Sequence, residues 1–148
     1  MNIEKEIQQI AFRNEYQKAT VNLIFTASWL QEKIRLLLEP ADITIQQYNI
    51  LRILKGSKTA LSTLQIRERM IDKMSDTSRL VIRLIKKGLV EKAKSKLDKR
   101  LVDVVISAKG LEVLASLDEQ QMNLDNVVAG ISTQEAIILN ILLDKMRG

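Results

Sequence analysis

Apolar residues keep a helical spacing along almost the whole 148-residue chain, but not between Leu89 and Ile106. There the runs Leu89–Ala93 and Leu101–Ile106 are rich in aliphatic residues. In them Val90/Lys92 and Val102/Val104/Ile106 alternate against more polar neighbours, the two-residue period of strands. Between the runs lies Lys94-Ser95-Lys96-Leu97-Asp98-Lys99-Arg100, a charged tip. The segment predicts one β-hairpin with a basic loop, set in a chain that is otherwise helical. Five Gly and one Pro leave little room for long loops, and the abundant Leu, Ile, Lys, Glu and Gln favour helix. The expected fold class is mainly α with a small β-hairpin, and residues 1–148 are the size of a single domain.

The helices can be placed from apolar spacing and end signals. Ile7, Ile10, Ala11, Val21, Leu23, Ile24, Ala27, Leu30, Ile34, Leu37 and Leu38 predict one first helix from about Glu6 to Leu38. At ~1.5 Å per residue it would span roughly 50 Å, more than a small core needs, so part of it is expected to pack on another chain. Pro40 ends it. Thr44 and Gln47 form a capping box before a short helix through Leu54, with Tyr48, Leu51, Ile53 and Leu54 inward. Ser62 caps a helix over Thr63–Ile71, with Leu64, Ile66 and Met70 inward. After a tight break a further helix, residues 75–87, turns Leu80, Val81, Leu84 and Ile85 to the core, and Gly88 is placed for a left-handed cap. Ser107 starts a helix expected to run to about Ala129. Gly130 breaks it, and Ser132 and Glu135 box the start of a last helix rich in Ile and Leu.

The net charge of +5 is unevenly spread. Residues 44–110 hold sixteen Lys/Arg against six Asp/Glu, whereas residues 1–43 and 111–148 together hold seven against twelve. Such segregation in a small domain marks a footprint for a polyanion, and nucleic acid fits better than a membrane because the basic segment is not one amphipathic helix. The chain has neither Cys nor His. Disulfides, iron–sulfur clusters, thiolate zinc sites and the commonest general base are therefore excluded, and no phosphate loop or dinucleotide fingerprint is present. No enzyme, metal or cofactor is expected. The start MNIEKEIQQI lacks the apolar stretch of a signal peptide, and no apolar run approaches a membrane span, so a cytoplasmic protein is expected.

Helix, helix, break, helix and two-stranded hairpin is the order of a winged helix-turn-helix, whose second helix enters the major groove while the wing reaches the phosphates or the minor groove. Ser75, Asp76, Arg79, Ile82, Arg83 and Lys86 fall opposite Leu80, Val81 and Leu84, and the basic hairpin follows at once. At these residues the sequence resembles the MarR family (multiple-antibiotic-resistance regulators). Residues 78–90, from Ser78-Arg79-Leu80 to Gly88-Leu89-Val90, resemble that family's recognition helix and its exit. Asp98-Lys99-Arg100 with Val104-Val105-Ile106-Ser107-Ala108-Lys109-Gly110 resembles its wing signature, and the Tyr48 segment resembles its second-helix stretch.

The resemblance implies a winged helix-turn-helix lobe at 44–110 and a helical dimerisation region at 1–43 and 111–148. It implies a homodimeric repressor of a palindromic operator, with helix 75–87 in the major groove and wing 89–106 at the minor groove. The DNA-binding candidates are Ser75, Asp76, Ser78, Arg79, Arg83, Lys86, Lys94, Lys96, Lys99 and Arg100. Arg100 would enter the minor groove and Asp98 would orient the wing through an ion pair. Ile82 stands where the family usually has a polar residue; it either touches a thymine methyl or is packed. Relatives that respond to small aromatic ligands hold them between the dimerisation helices and the lobe, and Phe25, Trp29 and Tyr48 are the candidates for lining such a cleft. The alternative from another class is a winged-helix module that binds a protein instead of specific DNA. The many cations on the recognition face and hairpin weigh against it.

Overall fold

A computed structural model describes residues 2–94, 102–119 and 125–148. The first departure from expectation comes at the start. The helix expected from Glu6 is broken in two: α1 is Ile3–Glu6 and α2 is Glu15–Leu38. Gln8 between them takes a left-handed backbone, φ +54°. The Asn14 side chain caps α2 by accepting from the Gln17 amide at 2.9 Å, and the Gln17 side chain accepts from the Arg13 amide at 2.7 Å. Helical spacing of Ile7 and Ile10 does not outweigh this local cap because nothing packs on Ile10, which is 99% exposed. With 24 residues α2 is about 36 Å long. It carries α1 against its side through an ion pair between Lys18 Nζ and Glu4 Oε1 at 2.6 Å.

A 3₁₀ turn, Glu39–Ala41, with Pro40 in its first turn, leads to Asp42 in left-handed backbone and on to α3, Ile45–Gly56. The Thr44/Gln47 box is formed in both directions, at 3.2 and 3.0 Å. Leu51 and Leu54 of α3 are buried, as expected, together with Ile50 and Gln47. The next element was not foreseen. Leu61 and Ser62 form a two-residue strand, β1, before α4, Thr63–Arg69. Ser62 and Gln65 make a second complete box. Ile66 and the following Met70 are buried, but Leu64 points outward and is 63% exposed, so the inward reading of Leu64 is corrected. A seven-residue helix offers only one narrow inward stripe, which Ile66 takes, and Met70 turns inward just past the helix end.

The helix expected at 75–87 is α5, Thr77–Lys86. Gly88 closes it with φ +72°, donating to Ile85 O. The hairpin forms as expected, β2 Val90–Lys94 and β3 Val102–Ile106, with Val90 opposite Ile106 and Lys92 opposite Val104. Strand β1 pairs on the other side of β3, Leu61 opposite Val104, giving an antiparallel sheet ordered β1-β3-β2. Ser107 caps α6, Ala108–Asp118; of the rest of the stretch expected to be helical to about Ala129, residues 125–127 are helical and 128–130 are in turns. The last helix, α7, is Thr133–Arg147, boxed by Ser132 and Glu135.

One apolar core joins α3 to α6: Ile50, Leu51, Leu54, Leu61, Ile66, Met70, Val81, Leu84, Leu89, Val90, Val104 and Leu114 are all in it. Its tightest point is Gly110. A Cβ there would collide with the Leu89 carbonyl oxygen and lie 2.8 Å from Ile106 Cγ1, so α6 can lie this close to the hairpin base only through a glycine. The neighbouring Ser107 hydroxyl donates to Gly88 O at 2.6 Å and accepts from the Gly110 amide at 3.0 Å. The exit of α5 and the start of α6 are thereby tied at one side chain. In α7, by contrast, no residue is buried, and α2 buries only Leu38.

Candidate nucleic-acid interface

Helices α4 and α5 and the turn between them make the surface on which the sequence concentrates its cations. The turn is built by side-chain acceptors. Asn49 Oδ1 of α3 takes the Ile71 amide at 2.9 Å, and Asp72 Oδ1 takes the Met74 amide at 3.0 Å. Asp76 caps α5 by accepting from the Arg79 amide at 3.1 Å. Its carboxylate also lies 3.7 Å from the Arg79 guanidinium, a loose, solvent-exposed pair worth little by itself.

Helix α5 is divided sharply. Thr77, Val81 and Leu84 are buried, with Leu80 and Ile85 half-buried beside them. Ser78, Arg79, Ile82, Arg83 and Lys86 are exposed, within about 140° of one another around the axis. Five of the expected DNA-binding residues (Asp76, Ser78, Arg79, Arg83 and Lys86) are therefore solvent-facing on one helix or at its cap. Ser75 precedes the helix with its hydroxyl oxygen buried. Lys94 ends β2, while Lys96, Asp98, Lys99 and Arg100 lie outside the described residues. Sequence reasoning left out Arg67 of α4 and Lys73 of the turn, both exposed; Arg67 lines a cleft of about 400 Å³ with Ser75, Asp76 and Ser78. Their signal was the basic excess of residues 44–110, together with the helix expected over Thr63–Ile71 for Arg67.

The chain matches solved structures over nearly its whole length. A mutant of MarR from E. coli, complexed with operator DNA, superposes with a TM-score of 0.80, at 20% identity over 92% of this chain and 98% of that one. The fold is that of the MarR-family regulators. A putative MarR-like regulator from Bacillus cereus ATCC 10987 gives 0.78, at 23% identity over 90% and 96% of the two chains. A MarR transcription factor from Planctomyces limnophilus gives 0.67, at 27% identity over 93% and 98%. No protein-family model matches the sequence, and no curated relative does. In the MarR fold of this chain, α4 and α5 are the helix-turn-helix and β2–β3 is the wing.

Two further features surround that surface. The first is an open cleft of about 710 Å³ between α2 and the lobe, lined by polar side chains that include Gln31, Glu32, Arg35, Gln46, Arg83 and Lys87. The three aromatic candidates for such a cleft are not in it. Phe25 and Trp29 line a separate cavity of about 360 Å³ with Ile3, Glu6, Asn22 and Thr26. Tyr48 instead lies under Arg52, whose guanidinium carbon is 5.0 Å from the ring centroid and whose Nε donates to the Tyr48 hydroxyl at 2.8 Å. Within this chain Phe25 and Trp29 share a face of α2 by their spacing of four, while Tyr48 belongs to α3 and another environment.

The second feature is the cluster that Arg52 completes. Asp118, at the end of α6, accepts from the Arg52 guanidinium and from Lys55 Nζ, the latter at 2.9 Å. The Arg52 hydrogen bond, followed by that of Lys55, holds the Asp118 carboxyl below the usual aspartate range. At the opposite end of the lobe Lys87 Nζ donates to the carbonyl of Asp42 and, at 3.1 Å, to its carboxylate. Among the described residues there is no group of three or more Asp/Glu placed to hold a metal ion, and no helix is long and apolar enough to cross a membrane.

Proposed function

We propose that this protein is a DNA-binding transcription regulator that binds a palindromic operator as a homodimer and represses the promoter it covers. In this reading residues 44–110 form the DNA-binding lobe, with α5 in the major groove and the 89–106 hairpin at the minor groove. Residues 1–43 and 111–148 form the dimerisation region. The observation that carries the proposal is the face of α5: Arg79, Arg83 and Lys86 stand exposed together on a helix whose other side is fixed in the core by Val81 and Leu84. That is the geometry of a rigid rod presenting guanidinium forks to base edges and phosphates. The dimer is supported by apolar side chains left open on α7, Ile137, Ile138, Leu139, Ile141 and Leu142, and on part of α2, Ile24 and Leu36. The polar cleft beside α2 supports effector control, since Arg83 lines it as well as the DNA-facing surface.

The test is selection of duplexes from a random pool by the purified protein. A two-fold symmetric consensus is expected, with half-sites about one helical turn apart. Inserting ~5 base pairs between the half-sites should reduce affinity to the non-specific level, and binding should fall roughly 10³–10⁵-fold between 50 and 200 mM salt if a dimer makes about 6–10 phosphate contacts. Affinity indifferent to the insertion would refute the symmetric dimer. Failure to enrich any sequence would refute operator binding altogether.

A further inference from the structure

Ile82 is the one apolar residue on the exposed face of α5, and it sits in the middle of that face. Ser78 and Lys86 lie one turn to either side of it, and Arg79 and Arg83 flank it. Its side chain is 53% exposed, so the alternative of a packed Ile82 does not hold within this chain. A β-branched hydrocarbon held among three cations and a serine is poorly suited to a protein partner, because docking an apolar surface there would desolvate the cations as well. Duplex DNA resolves that conflict. Phosphates and guanine edges take the cations, and the major groove offers one hydrocarbon group among its base edges, the thymine C5-methyl.

We propose that Ile82 reads a thymine in each half-site through its C5-methyl. The proposal rests on the DNA-binding reading above and adds to it a specificity determinant, at a position that contributes no charge. Rigid backing makes the contact selective. Val81 and Leu84 hold the helix, and a branched side chain at Ile82 has few χ1 choices, so the apolar surface stays at a fixed depth.

Removing one methyl group from the DNA tests this without touching the protein. The selected duplex is compared with copies in which each thymine in turn is replaced by deoxyuridine, using fluorescence anisotropy at fixed salt. One symmetry-related pair of thymines should respond. Loss of its methyl should weaken wild-type binding roughly three- to fivefold per half-site, and about tenfold or more when both are replaced, as expected for one buried methyl. Ile82→Ala should discriminate the thymine and deoxyuridine duplexes much less, because its short side chain loses most of the apolar surface that reaches the methyl. An exposed position makes this variant safe for folding. The assignment is overturned if the wild type tolerates every replacement, if no fixed thymine occurs in the half-site, or if the methyl effect persists undiminished in Ile82→Ala. Those outcomes leave operator binding standing. A pool that yields no consensus takes both proposals down.

Discussion

Between α3 and α6 the chain uses its large apolar side chains on itself: Ile50, Leu51, Ile66 and Leu84 are fully enclosed by neighbours from four helices and a sheet. Helix α7 is just as aliphatic and encloses nothing; Ile137, Ile138, Leu139, Ile141 and Leu142 all face solvent, Ile141 at 60%. The two regions have similar residue types and opposite fates. What separates them is whether the chain folds back over the helix, which it does at α3–α6 and does not at α7. Burial of one Leu or Ile side chain is worth about 1.5–3 kcal/mol, so a helix with this many left open is built for association. The α3–α6 core closes on itself and takes in Leu38 from the end of α2, whereas the aliphatic side chains of α7 close on nothing among the described residues.

The largest test of that contrast is a cavity in the lobe. Leu84→Ala should lower unfolding stability by roughly 2–5 kcal/mol, read by denaturant titration. The loss should show up at every protein concentration, because it weakens the lobe itself. Next comes the aliphatic helix. Ile138→Asp combined with Leu142→Asp, one turn apart on α7, should raise the dimer dissociation constant at least ~100-fold in sedimentation equilibrium while most of the helical circular dichroism survives. If the double variant stays dimeric, the division between self-sufficient lobe and dependent ends is wrong. A variant that unfolds outright would show instead that the lobe cannot stand without the ends.

The smallest effect probes a polar cluster inside the first of the two regions, between α3 and the end of α6. Asp118 terminates α6 under the hold of Arg52 and Lys55, and its carboxyl is pushed below the ordinary aspartate range. A depressed carboxyl stabilises the fold above its unfolded-state value, about 3.9, and the gain is lost as pH falls through the still lower folded value. Asp118→Asn should therefore be less stable than wild type near neutral pH, by about 1 kcal/mol or less for so accessible a cluster. The two proteins should draw together in thermal melts only as pH falls from about 3.9 through the lower folded value. Equal stability at pH 7 would remove the cluster from the account of how α6 is fixed.

Local signals explain what could be read from sequence. The Thr44 and Ser132 boxes and the Ser62 cap each need only a few consecutive residues, and all three form. The face of α5 was legible because one helix period separates its cations from Val81 and Leu84. What failed depended on partners far along the chain. Strand β1 is two residues long and exists because Leu61 meets Val104. The Asp118 cluster joins α3 to the end of α6, and no spacing rule links Arg52 to Asp118. The break before α2 is a different failure: the Asn14 cap was visible locally, but apolar spacing through Ile7 and Ile10 was given more weight than it had.

Trp29 lends the same division an optical consequence. It is the chain's one tryptophan, and it sits on α2 beside Phe25 and Ile3, away from the lobe's enclosed core. Excitation at the red edge of the absorption band selects indole over the two tyrosines, so intrinsic emission samples only the end helices. The colour of that emission depends on whether water or another chain lies against a ring that is 42% exposed here. A single natural fluorophore thus reports on α2, while the melting of the α3–α6 core passes without a chromophore of its own beyond Tyr48.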